Sequence, residues 1–99
     1  MPVYVRYSGW YVYFWTNENE EPIHFHIAEG EPSENATKIW VLSNDSFKLA
    51  NNNSQVPPKI MRHLLAVMQA SLEEYKDLWL QYQKDIKYFD RNDLNSRRG

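Results

Sequence analysis

The sequence predicts an α+β domain, in which an antiparallel sheet of four to five strands is followed by a C-terminal helical pair packed on one face. Apolar residues alternate with a period of two in the first half of the chain and recur at helical spacing after Val56. All strands precede the helices, which argues against a parallel βαβ design. Because 99 residues support one core, we expect a single domain over residues 1–89 and a polar tail over residues 90–99.

Five segments of the first half have the composition of strands, and clusters of turn-forming residues separate them. They are residues 3–8, 10–15, 23–27, 37–42 and 46–50. The last of these is the weakest, and we expect it at an edge of the sheet. In the first segment the alternation predicts a face that carries Val3, Val5 and Tyr7. Gly9 then interrupts the pattern, as a bulge or a tight turn does.

The histidine-containing segment shows most clearly which side chains point inward. Successive side chains of an extended strand lie on opposite faces. One face therefore carries Ile23, Phe25 and Ile27, and the other carries His24 and His26. We expect the apolar face to lie under the helices and both imidazoles to lie outside.

Two helices are predicted in the second half, with a break at Ser71. Pro57 and Pro58 suit a helix start, where the missing N–H groups need no partner. The sequence from Ser71 to Glu74 has the form of a capping box, in which the Ser71 hydroxyl accepts a hydrogen bond from the Glu74 amide. The alternative is one long helix from Pro58 to about Tyr88.

The composition excludes several classes of site and partner. The chain contains no cysteine, which excludes disulfides, thiolate catalysis and zinc sites built on sulfur. A net charge of −2 provides no general attraction to nucleic acid or to anionic membranes. No window approaches the roughly 20 apolar residues that a membrane span requires. We therefore expect a cytoplasmic protein without membrane contact, and the composition disfavours a nucleic-acid partner.

The order of these features resembles a family of small bacterial proteins described as domain of unknown function 4160. The resemblance covers about residues 3–82, and its most specific segments are the Pro-x-His-Phe-His strand that begins at Pro22 and the proline-rich helix start. The family's turn usually reads Asp-His-x-Pro-Pro-His-Phe-His, so its first histidine is Glu20 here and its second proline is Ile23. The family has no established activity, and its members resemble components of two-gene units of toxin–antitoxin character.

The two histidines form the first candidate site. On a strand their Cα atoms are about 6.5–7 Å apart on one face, so both imidazoles can reach one Zn²⁺. Glu20 completes a set of two histidines and one carboxylate, and His63 is an alternative third ligand. This site predicts a metal-dependent hydrolase or nuclease with a divalent cofactor such as zinc. In the alternative interpretation, His24 and His26 are surface or interface residues bonded to neighbouring strands, and whether the protein is an enzyme stays open.

The second candidate site is the sheet face that the helices leave uncovered. Beside the histidines it carries Tyr11, Tyr13, Trp15, Lys38 and Trp40. Apolar patches of this size mark binding surfaces, and Tyr and Trp are typical of the centres of protein interfaces. We therefore predict a protein-interaction module whose partner is another protein or a second copy of the chain. The alternatives are a stacking platform for single-stranded nucleic acid, which lacks a basic groove, and a face covered by the tail.

Overall fold

A computed structural model describes residues 2–17 and 21–91 of the chain. The elements are, in order, β1 (Val3–Tyr7), β2 (Trp10–Tyr13), β3 (His24–Glu29), β4 (Thr37–Val41), β5 (Phe47–Asn51), α1 (Pro58–Ala70) and α2 (Leu72–Tyr82). A short 3₁₀ helix, Phe89–Arg91, follows them. The predicted α+β class, with strands first and a helical pair after them, is confirmed.

The sheet is an antiparallel meander, with the order β1-β2-β3-β4-β5. Tight turns make this order possible: Ser8 and Gly9, between the first two strands, have φ of 52° and 85°. Positive φ at both central residues is the geometry of a two-residue hairpin that follows the twist of the strands. The strand β5 lies at an edge, as expected for the weakest of the five segments.

A β-bulge in β1 changes which of its side chains reach the core. Val3 pairs with Tyr13 and Val5 pairs with Val12, so Tyr4 is an extra residue on β1. Tyr4 and Val5 both pack against the core beneath the helices, whereas Val3 packs on the opposite face. The prediction that Val3 and Val5 share a face is therefore wrong, because an inserted residue reverses the alternation.

The helices cover one face of the sheet and form the main core with it. The apolar side of β3 packs there as predicted, because Ile23, Phe25 and Ile27 are fully buried beside helix residues. The buried helix residues are Leu64, Met68, Leu72, Tyr75 and Trp79. Among the described residues, no helix has the length and apolar character of a membrane span.

The break between α1 and α2 lies at Ser71, as predicted, but it has a different cause. The Ser71 hydroxyl donates to the carbonyl of Val67 at 2.8 Å, and the start of α2 has no side-chain cap. At Ser71 the backbone leaves the helical region, with φ of −119° and ψ of 26°. The capping box is therefore not formed, because the hydroxyl bonds back to the preceding turn instead.

Residues 83–91, which we call the strap, cross the end of the sheet. Gln83 donates from Nε2 to the carbonyls of two residues beyond β2, at 3.3 Å each. The amide of Ile23 donates to a strap carbonyl at 2.8 Å. Phe89 then stacks on Trp40, on the side of the sheet opposite the helices. We call that side the outer face.

Candidate functional site

His24 and His26 lie on the outer face, as the alternation predicts, but neither is exposed. His24 is 0% exposed and His26 is 5% exposed. The ring centroids of Trp40 and Trp79 lie 5.6 and 5.4 Å from that of His24. The expectation that both imidazoles are exposed is therefore wrong, because Trp40 and Trp79 of α2 pack against His24 and Tyr13 packs against His26.

The orientation of His24 is set by a hydrogen bond within its own turn. Its Nδ1 lies 2.7 Å from the carbonyl oxygen of Pro22. A carbonyl oxygen can only accept a hydrogen bond, so Nδ1 carries the hydrogen. In the neutral ring the lone pair is therefore on Nε2. A backbone carbonyl on one ring nitrogen is also the usual way in which a metal-binding histidine is oriented.

The spacing of the two imidazoles is compatible with a shared metal ion. Their ring centroids are 5.0 Å apart, with an angle of 80° between the planes. Two imidazoles on one tetrahedral Zn²⁺, with Zn–N bonds of about 2.0–2.1 Å, have centroids about 5 Å apart. The same geometry is an ordinary edge-to-face contact. The spacing alone therefore does not distinguish a ligand pair from packed rings.

The predicted third ligands do not join the pair within the described residues. Glu20 lies outside them. His63 belongs to α1 and stacks on Tyr7, with ring centroids 3.9 Å apart, so it lies on the helix side of the sheet. In residues 2–17 and 21–91, no three His, Cys, Asp or Glu side chains form a group that could hold a metal ion.

One member of the predicted interaction surface is buried. Tyr13 is 0% exposed, because the loop between β3 and β4 folds over it. Its hydroxyl donates to the carbonyl of Ser33 and accepts from the Ser33 amide, at 3.0 Å each. Together with Ala28 and Ala36, Tyr13 forms a second, small core on the outer face. Tyr13 therefore stabilises the fold and is not accessible to a partner.

The other predicted surface residues, Tyr11, Trp15, Lys38 and Trp40, are half-buried. Arg6 approaches the ring of Tyr11 to 5.8 Å, and the Nζ of Lys38 lies 4.3 Å from the ring centroid of Trp40. These contacts place cations against aromatic rings, an arrangement that is favourable at partly exposed sites. The outer face thus presents aromatic and cationic groups together.

An open cleft of about 680 Å³ lies on the outer face. Its lining includes Trp15, His26 and the ion pair of Lys38 with Glu21, in which Nζ and Oε1 are 2.5 Å apart. Four asparagines add side-chain amides: Asn17, Asn35, Asn51 and Asn53. Because amides both donate and accept hydrogen bonds, and Glu34 adds a carboxylate beside the ion pair, this lining suits polar groups.

The strap contributes two contacts that the sequence analysis missed. Phe89 stacks on Trp40, with ring centroids 4.7 Å apart and an angle of 13°. Asp90 accepts from the amide of Ser43 at 3.0 Å and from its hydroxyl at 2.8 Å. Slight desolvation disfavours the charged carboxylate, but the hydrogen bonds from Ser43 outweigh it and lower the pKa of Asp90 below its ordinary value of 3.8.

A signal for the strap is present in the sequence. Ile86 and Tyr88 are apolar residues two apart in an otherwise polar stretch, which is typical of an extended segment with one buried side. Both pack against the main core. Asp90, where the predicted tail begins, bonds to the turn after β4, and residues 92–99 lie outside the described residues.

Comparison with known proteins gives one match. A family model described as "Domain of unknown function (DUF4160)" matches residues 9–80. The matched region contains β2 to β5, α1 and most of α2, and it ends before the strap. Searches of curated proteins and of solved structures find no significant match.

Proposed function

The chain belongs to the DUF4160 family, and we propose that it is a small protein-interaction module that binds a partner through its outer face. The observation that carries the proposal is the open cleft of about 680 Å³ on the face that the helices do not cover. Cavities of about 300–1,000 Å³ are of the size that binds a compact ligand or a few side chains. A partner segment is therefore a suitable occupant.

The residue types of the outer face support recognition of a protein. Tyr11, Trp15 and Trp40 are half-buried aromatic residues, and Tyr and Trp are enriched among the residues that dominate binding energy. Lys38 and the asparagines that line the cleft supply polar contacts. Protein interfaces combine aromatic contacts with direct hydrogen bonds of this kind.

The partner that we propose is the product of an adjacent gene. The resemblance to components of toxin–antitoxin-like units points to the product of an adjacent gene in a bacterial cytoplasm. A second copy of the chain is the alternative partner, because a sheet face can pair with itself about a two-fold axis. Light scattering at tens of micromolar distinguishes the two, since self-association doubles the mass without any added protein.

The test is a titration of the chain with the purified product of the adjacent gene. Lys38→Ala removes a charge at the cleft, and we expect the Kd to rise roughly tenfold. Lys59→Ala removes the same charge from an exposed position in the first turn of α1, and we expect a change below about twofold. Absence of a complex, or an equal effect of both substitutions, would contradict the proposed surface.

A metal-dependent hydrolase or nuclease is the second candidate, and a specific observation favours it. The bond from His24 Nδ1 to the Pro22 carbonyl leaves the lone pair on Nε2, and the second imidazole lies at a spacing suited to a shared ion. Elemental analysis of chelator-free protein should then find zinc, nickel or iron, and the His24→Ala/His26→Ala variant should lose it. Protein without any of these metals removes this candidate.

A further inference from the structure

We propose that the surface around Trp40 binds a partner segment in which an aromatic residue is followed directly by an acidic residue, and that Phe89 and Asp90 occupy it as an internal ligand. The surface consists of Lys38, Trp40, Ser43 and Lys48, and we call it the Trp40 surface. This inference rests on the proposed function, because it specifies the partner chemistry and the regulation of the same face.

The first half of the recognition is an aromatic stack. Phe89 lies nearly parallel to Trp40 at 4.7 Å, yet it is 43% exposed. The Nζ of Lys48 lies 6.0 Å from the ring centroid of Phe89, and that of Lys38 lies 4.3 Å from Trp40. A flat ring in this position gains stacking energy from Trp40, whose own ring faces Lys38, and cation–π energy from Lys48. The position therefore selects an aromatic residue.

The second half is a carboxylate bound by both donors of one residue. The amide and the hydroxyl of Ser43 donate to the two carboxylate oxygens of Asp90. Hydrogen bonds to a charged acceptor are roughly twice as strong as neutral ones. Lys48 has no ion-pair partner among the described residues, so its charge also favours an acidic segment. An amide or a basic residue at the position of Asp90 loses both the charge-assisted hydrogen bonds from Ser43 and the attraction of Lys48.

The strap packs against the core as far as Tyr88 and is exposed beyond it. Ile86 and Tyr88 pack against the main core, whereas Phe89, Asp90 and Arg91 are exposed. The last residues can therefore leave the Trp40 surface while the fold stays intact. The match to the family ends at residue 80, so this internal ligand is an addition to the region that the family model covers.

An attached ligand weakens the binding of a free one. A short tether gives an effective concentration on the order of millimolar, so a partner with the same chemistry competes against the strap. Removing the two end contacts should therefore open the surface and strengthen partner binding. The Phe89→Ala/Asp90→Ala variant does this with two exposed side chains, which limits the cost to stability.

The test uses the acetylated and amidated tetrapeptide Tyr-Phe-Asp-Arg as probe. NMR titration of the Phe89→Ala/Asp90→Ala variant should shift the indole N–H signal of Trp40 and the amide signal of Ser43, with a Kd of about millimolar. Wild-type protein should show shifts roughly twofold smaller at the same sub-saturating peptide concentration, because a strap at an effective concentration near the peptide's Kd occupies the surface about half of the time. The control peptide Tyr-Ala-Asn-Arg should shift neither signal in the variant.

The outcomes separate this inference from the proposed function. Equal shifts with both peptides, or no shift in the variant, overturn the inference. If the opened variant and the wild type bind the adjacent gene product with the same Kd, the regulatory part is overturned while the interaction module stands. If neither binds it and neither self-associates, the proposed function itself has failed. Circular dichroism of the variant, and of Phe89→Ala alone, verifies the fold.

Discussion

Replacing Tyr75 by phenylalanine removes one hydroxyl from the centre of the fold and tests how His24 is placed. Tyr75 is 0% exposed, and its hydroxyl donates to the carbonyl of His24. The preceding carbonyl, that of Ile23, accepts from Val41 on β4, so the next carbonyl along the strand points to the opposite side. On that side β2 has already ended, and Tyr75 supplies the hydrogen bond instead.

The expected loss of stability follows from the buried carbonyl of His24, which the substitution deprives of a hydrogen-bond donor. The phenyl ring keeps its contacts with Phe14 and Phe25, whose centroids lie 5.8 Å away, so little packing is lost. The buried carbonyl loses the donor that Tyr75 provides, and such a loss costs about 1–3 kcal/mol. For a domain of this size each kcal/mol lowers Tm by about 4–8 °C. We therefore expect Tm to fall by roughly 4–24 °C.

Thermal and urea denaturation measure this effect, and Tyr4→Phe is the matched control. The hydroxyl of Tyr4 donates to the carbonyl of Ser71 at 3.0 Å, but Tyr4 is half-buried, so water can replace the lost donor. We expect a cost of about 0.5–1 kcal/mol for Tyr4→Phe. The reasoning is refuted if Tyr75→Phe costs no more than Tyr4→Phe, or if the urea m-value changes enough to show that the folded state itself has altered.

Three further predictions concern the turns, the helix break and the strap. Gly9→Ala should lower the free energy of unfolding, measured by urea denaturation, by about 1–2 kcal/mol. Gly9 has φ of +85°, and an added Cβ meets no atom within 4 Å, so backbone strain is the cause. An unchanged free energy of unfolding would contradict this. Ser71→Ala should lower the free energy of unfolding by less than about 0.5 kcal/mol, because its hydroxyl donates to the carbonyl of Val67 and caps no helix. Removal of a capping serine costs about 1 kcal/mol, so a loss above that value would indicate that the capping box forms after all. Because the pKa of Asp90 is lowered on folding, its bonds to Ser43 are present above pH 3.8 and are lost as pH falls through the lower folded value. NMR signals of the strap should report this transition, and Asp90→Asn should lack it.

Much of the fold could be predicted because short-range patterns are enough for it. The alternation around Phe25 correctly placed the apolar side of β3 under the helices. The change to helical spacing located α1 and α2, and the break at Ser71 was found although its cause was not. The bulge at Tyr4 was missed. A single inserted residue changes which side chains face the core, but it leaves no mark in the alternation of apolar and polar residues along β1.

The candidate site was predicted less well, because exposure depends on segments far away in the sequence. Alternation correctly predicted that His26 lies on the outer face. Its burial depends on neighbours from other strands, such as Tyr13, which the alternation within β3 does not reveal. Tyr13 was expected at the surface, and a loop 20 residues later covers it through Ser33. Trp40 was expected to be open, and Phe89 lies on it.

The amino-acid order by itself determined the class of fold, the faces of β3 and the family, since each depends on periodicity or on a local motif. The tertiary structure decided which outer-face side chains water can reach and which contacts Phe89 and Asp90 make. The physical reason is that the face on which a side chain lies follows from the geometry of its own strand. Its burial depends on distant segments, which pack over it where the burial of apolar surface lowers the free energy of the folded state.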